Sequence, residues 1–174
     1  MSKKKAESAR LLIPDNLTPT LYVGIDTGVK TGIAVWTPAE KGLQVLTTPI
    51  HHAMQMVKQM LMNGEQVLVR VEDARQRTWF GKEDAGDRFG AKRQGAGSIK
   101  RDASIWNDYL IDLADAYPNQ LGFEMVAPKH NKTKLSEQQF AAYTGYKGRT
   151  SEHGRDAAML VYGYQPNQVK LLAL

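Results

Sequence analysis

The spacing of apolar residues changes period several times along the chain. Leu21–Asp26 is a short apolar run that ends in a carboxylate, and after the turn TGVKTG the runs Ile33–Trp36 and Leu43–Thr47 read as second and third strands. Strands joined by turns this short predict an antiparallel meander. Gly28 and Gly32 are expected to relieve the backbone in that turn. Over Ile50–Met62 the period becomes helical, with Ile50, Ala53, Met54, Val57, Met60 and Leu61 on one face and Asn63-Gly64 as the stop. Gln66–Glu72 is a fourth strand, apolar on both faces and therefore buried, and it too ends in acid. Residues 73–98 have no clean period and read as a loop leading into a helix. Ile99, Ala103, Trp106, Leu110, Leu113 and Tyr117 then form one helical stripe, ended by Pro118. Leu121–Val126 is a fifth strand, closed by Pro128. Ser136–Tyr143 reads as helix. Thr150 or Ser151 can cap a last helix that buries Ala157, Leu160, Val161 and Tyr164 and ends at Pro166.

The order β-β-β-α-β-α-β-α-α predicts an α/β fold. Its five-stranded mixed sheet combines the three-strand antiparallel meander with parallel strands, and helices cover both faces. Residues 1–20 read as a flexible basic N-terminal tail, 21–165 as one domain and 166–174 as a C-terminal extension.

Composition narrows the chemistry. The chain has 174 residues, 42% of them hydrophobic, which suffices for the core of one domain. It has no cysteine, which excludes a disulfide framework, a thiolate zinc site and a cysteine nucleophile. A reducing, cytoplasmic setting, bacterial or phage-encoded, is the expectation. No apolar run reaches the roughly 18 residues of a membrane span, and the basic start lacks the apolar stretch of a secretory signal.

The net charge is +5, and it is unevenly spread. Residues 88–101 carry Arg88, Lys92, Arg93, Lys100 and Arg101 with no acid among them. Residues 128–149 carry Lys129, Lys132, Lys134, Lys147 and Arg149 against the single acid Glu137. A solvated face is the usual meaning of such runs. These border strand ends that carry acids, so phosphate contact is the expectation for Arg88 to Arg101 and for Lys129, Lys132 and Lys134. Arg75 and Arg77, directly after the acidic end of the fourth strand, join them. Trp79 and Phe80 lie in the same basic loop and are candidates to stack on bases, burial beneath the loop being the alternative.

Acids at the ends of apolar strands are informative, because burying a carboxylate costs several kcal/mol unless something compensates. Asp26 ends the first strand, Glu72 ends the fourth, and Asp156 lies in the first turns of the last helix. Each has an ordinary alternative. Asp26 can cap the glycine turn, the pair Glu72-Asp73 can simply leave the strand for solvent, and Asp156 can pair with Arg149 or Arg155. Taken together, three acids from distant parts of the chain, each on a rigid element, suit a site for hard divalent cations. His153 stands three residues before Asp156, on the same helix face.

Three stretches carry a resemblance. GIDTGVKTGIAVW, VLVRVEDAR and EHGRDAAMLVYGY resemble the first, second and closing motifs of the RuvC-type Holliday-junction resolvases within the RNase H-like superfamily. GAGSIKRDASIWNDYL is similar to that family's helix after the second acid. The resemblance spans roughly residues 21–165 and implies an RNase H-like fold. It implies an endodeoxyribonuclease that resolves four-way DNA junctions with two Mg²⁺ or Mn²⁺ ions per site. Asp26, Glu72, His153 and Asp156 would be the catalytic and metal-holding residues, with Glu152 a competitor of His153. It also implies branched DNA as partner and a homodimer to which the helix 99–117 can contribute. The N-terminal tail, the Arg-rich insertion after Glu72 and the C-terminal extension depart from the bacterial pattern and leave the substrate open. Alternatives are a nuclease acting on flaps or RNA–DNA hybrids, and a binding protein without catalysis. GIDTGVKTG is also similar to the phosphate hairpin of sugar kinases and actin-like ATPases, which would imply a nucleotide-dependent phosphotransferase.

Overall fold

Alternation along each strand decides which side of the sheet its side chains meet. In the computed structural model, which describes residues 10–76, 88–131 and 134–165 with the side chains of 88–96 excepted, six strands form one mixed sheet. They are β1 (Leu11–Leu12), β2 (Leu21–Asp26), β3 (Lys30–Thr37), β4 (Gly42–Pro49), β5 (Val67–Glu72) and β6 (Leu121–Val126), in the spatial order β1-β6-β5-β2-β3-β4. β2, β3 and β4 form the antiparallel meander, while β5 runs parallel to both β2 and β6.

On one face, Val23 and Ile25 of β2 and Val69 and Val71 of β5 pack against α1 (Ile50–Met62) and α2 (Arg88–Ala116), which bury Ala53, Val57, Leu61, Trp106 and Leu110. On the other, Tyr22, Ala34, Trp36 and Leu68 pack against α3 (Glu137–Thr144) and α4 (Glu152–Met159) through Phe140, Ala157 and neighbouring Leu160. Each fully buried Leu, Val or Phe contributes about 1.5–3 kcal/mol, so both faces hold the sheet. The short helices start where the sequence has caps. Ser136 forms a capping box with Gln139, and the Ser151 hydroxyl accepts the Gly154 N–H at 2.9 Å.

Three expectations need correction. The sheet has six strands rather than five, because Leu11–Leu12 pairs antiparallel with β6, and Leu17 is buried behind it. The segment 1–20 is thus not all tail; a two-residue strand is too short to show a period. Helix α2 begins at Arg88, inside the stretch 73–98 read as a loop leading into a helix. Its glycines weaken the local signal, but extending a helix from an amphipathic neighbour needs no new nucleus. Finally, α4 stops at Met159 and the chain turns, leaving Leu160, Val161 and Tyr164 outside it.

Arg70 explains that stop. Its Nε donates to Glu124 at 2.7 Å, its Nη1 donates to the Leu160 carbonyl at 2.5 Å, and its guanidinium lies 4.5 Å from the centroid of the Tyr164 ring. A buried cation placed on the carbonyl end of α4 satisfies that end and holds the departing chain against the sheet. Among the described residues no helix is long and apolar enough to cross a membrane.

Candidate functional site

The parallel pairing of β2 with β5 puts Ile25 opposite Val71. The next residues, Asp26 and Glu72, therefore end neighbouring strands side by side. The two-residue pleat points both toward the face of Tyr22 and Leu68, where α4 lies. This is the carboxyl edge of the parallel strands, where open α/β sheets carry their sites.

Glycines let α4 settle directly on that face. A Cβ at Gly24 would stand 2.0 Å from the Ala157 carbonyl oxygen, and one at Gly32 would stand 2.0 Å from that of His153. Gly32 is thus not only a turn residue. It pairs with Asp26 across the β2–β3 ladder, and its missing side chain admits the first turn of α4 above that aspartate.

The consequence is a convergence of polar groups. His153 Nδ1 lies 2.7 Å from Asp26 Oδ2. Asp156 is buried, and its Oδ1 accepts the backbone N–H of Lys134 at 3.0 Å. Asn131 donates from Nδ2 to Glu72 Oε2 at 2.9 Å and to the Asp156 carbonyl at 3.1 Å, which links the second acid to the helix of the third. Asn131 went unnoticed in the sequence, where an amide between Pro128 and a basic run carries no distinctive signal.

The charges of the acids are felt within the site. Burial raises the Asp26 carboxyl to about 6; the His153 bond opposes this, and the negative charges of Glu72 and Asp156 add to it. Burial also raises Asp156, against the hydrogen bond from Lys134. Arg155 does not neutralise Asp156, because its guanidinium donates to the carbonyls of Leu135 and Thr150. Glu152, the competing candidate, is exposed and ion-paired with the Lys134 ammonium, which holds its carboxyl below the usual range.

The residue after Glu72 behaves differently. Asp73 is fully buried and takes Arg75 in a fork, Nε to Oδ1 at 2.7 Å and Nη2 to Oδ2 at 3.0 Å, with Gln76 at 3.2 Å. Although burial opposes it, these bonds hold its carboxyl below the ordinary value. Arg75 is therefore engaged internally rather than presented to a phosphate.

Among the other basic candidates, Lys134 sits beside Asp156, Lys129 is exposed in the turn just before Asn131, and Arg101 is exposed on α2. Lys100 is half-buried. α2 leads from the carboxyl end of β5 back to β6, so its first half belongs to the same end of the sheet as Glu72. Arg88, Lys92 and Arg93 lie on the α2 backbone, and their side chains fall outside the described residues, as do Arg77, Trp79, Phe80 and Lys132.

Hard oxygen donors with one imidazole are the chemistry of a Mg²⁺ or Mn²⁺ site, and a cation there would offset the burial, and the lesser repulsion from Glu72 and Asp156, that raise Asp26. Asp26, Glu72 and Asp156 are the oxygen donors gathered at this edge of the sheet. As they stand, each carboxylate engages a different hydrogen-bond donor, and among the described residues no three Asp, Glu or His side chains close into a ready cluster. No protein-family model matches the chain, and neither a curated protein nor a solved structure is significantly similar to it.

Proposed function

We propose that this protein is a metal-dependent endodeoxyribonuclease of RNase H-like type, similar to the RuvC-type resolvases, that cuts four-way DNA junctions. The observation that carries the reading is the meeting of Asp26, at the end of the central strand, with His153 of the last helix at 2.7 Å, with Glu72 on the neighbouring strand and Asp156 one turn along the helix. These acids are the positions at which the three sequence motifs carry theirs.

In this reading Asp26, Glu72 and Asp156 hold two Mg²⁺ or Mn²⁺ ions. The chemistry such a pair supplies when bound is activation of a water for in-line attack on a phosphodiester and stabilisation of the leaving oxygen. The chain's own residues prepare this. Asp26, deprotonated above its raised pKa of about 6, presents a full negative charge. His153 fixes one Asp26 oxygen through Nδ1, which leaves Nε2 as the nitrogen to ligate or to orient a water. Lys134, Lys129 and Arg101 contact phosphates on either side of the scissile bond. Paired cuts across a junction need two sites related by a two-fold axis, so the working form is a homodimer.

Incubation with Mg²⁺ or Mn²⁺ and labelled four-way junctions, flaps, RNA–DNA hybrids and linear duplex tests the reading. Symmetric nicks confined to the junction, absent with Asp26→Asn, are expected. Cleavage of hybrids or flaps alone would move the substrate, and ATP hydrolysis without DNA would replace the reading with a phosphotransferase.

A further inference from the structure

Asn131 occupies a position that neither its sequence nor its place in a loop announces. Its Nδ2 bonds the carboxylate of Glu72, 59 residues away, and the backbone carbonyl of Asp156, 25 residues away. Both partners are acceptors, so the amide nitrogen must face them and the oxygen must face elsewhere. That oxygen, Oδ1, is buried and accepts no hydrogen bond among the described residues. A buried amide oxygen without a donor costs about 1–3 kcal/mol, which a fold does not keep without compensation. The backbone of Asn131 is itself anchored, its N–H donating to the Pro128 carbonyl at 3.1 Å at the close of the short turn Pro128–His130.

The choice of an amide has a consequence for charge. Lysine or arginine in the same place would bond Glu72 equally well but would neutralise it. Asparagine holds the carboxylate in place without adding a positive charge of its own.

We infer that Asn131 is a positioning residue of the proposed cation site, with Nδ2 setting Glu72 against the helix of Asp156. The inference rests on the reading of this end of the sheet as a divalent-cation site. Residues that orient metal ligands in this way commonly change metal affinity by about 10–100-fold when removed.

Calorimetric titration with Mn²⁺, together with thermal melting in EDTA and in Mn²⁺, tests it on wild type, Asn131→Ala and Asn131→Asp. Asn131→Ala is expected to bind Mn²⁺ at least about tenfold more weakly. Asn131→Asp sets an acceptor against Glu72, so it is expected to melt lower than wild type in EDTA and to gain more from Mn²⁺ than wild type does. A purely structural role would instead lower both variants equally with and without the ion. Wild-type Mn²⁺ affinity in Asn131→Ala overturns the role of Asn131 and leaves the cation site standing. Should Asn131→Ala fail to fold, a Mn²⁺ gain in Asn131→Asp no larger than wild type's overturns it. Absence of Mn²⁺ binding by wild type removes the cation site, and the role of Asn131 with it.

Discussion

Asp26 Oδ2 and His153 Nδ1 stand 2.7 Å apart although 127 residues separate them in the chain. The contact joins the central strand to the last helix, and it exists because Gly32, the ladder partner of Asp26, has no side chain to keep the helix away. Site and packing are therefore the same feature seen from two sides.

The proton on Asp26 has a direction of effect on stability. Its folded-state pKa is raised from 3.8 to about 6, so its contribution is fully present below the unfolded value and is lost as pH rises through 6. The loss is on the order of 3 kcal/mol for a side chain that is 14% exposed. Asp26→Asn is expected to abolish cleavage yet be more stable than wild type at pH 7, with the difference shrinking toward pH 4. Urea midpoints of both proteins across that range check it, and parallel curves would contradict the assignment.

Glu72 and Asp73 are adjacent and are expected to fail in opposite ways. Glu72→Gln should remove cleavage and leave stability within about 1 kcal/mol, because its amide can still meet Asn131. Asp73→Asn should destabilise by about 3 kcal/mol, since it strips the buried partner of Arg75, while residual folded protein still cuts. Because the Asp73 pKa is lowered, its support is present above the unfolded pKa and is lost as pH falls through the folded one. Denaturation and nicking assays run side by side distinguish the two.

Gly32→Ala places a methyl where the His153 carbonyl now lies. The helix must shift, at a cost of about 1–3 kcal/mol. Nicking is expected to fall much further than junction affinity, because the displacement separates His153 and Asp156 from Asp26. Equal loss of both, or of neither, would show that helix position does not govern the chemistry.

Lys129, Lys134 and Arg101 are expected to act through phosphates. Replacing each with alanine should weaken junction binding, and lower the slope of log affinity against log salt by about 1 per contact. Arg75→Ala should leave that slope unchanged and destabilise the fold instead, because its guanidinium faces Asp73. Filter binding at several salt concentrations measures both.

Local patterns predicted much of the molecule. Strand alternation, helix periodicity and the caps at Ser136 and Ser151 are properties of neighbouring residues, so a linear reading finds them. So are the acids that end β2 and β5, since a carboxylate after an apolar run stands out against its surroundings. What no period encodes is which strands lie side by side. The pairing of β2 with β5, the return of Leu11–Leu12 to β6, and the reach of Asn131 to Glu72 join residues dozens of positions apart. The same holds for the separate fates of Glu72 and Asp73, which face opposite sides of one strand end and differ only in what the folded chain brings to each. Such contacts arise when sheet order and helix docking are settled together, because their energy comes from burying surfaces that are distant in sequence.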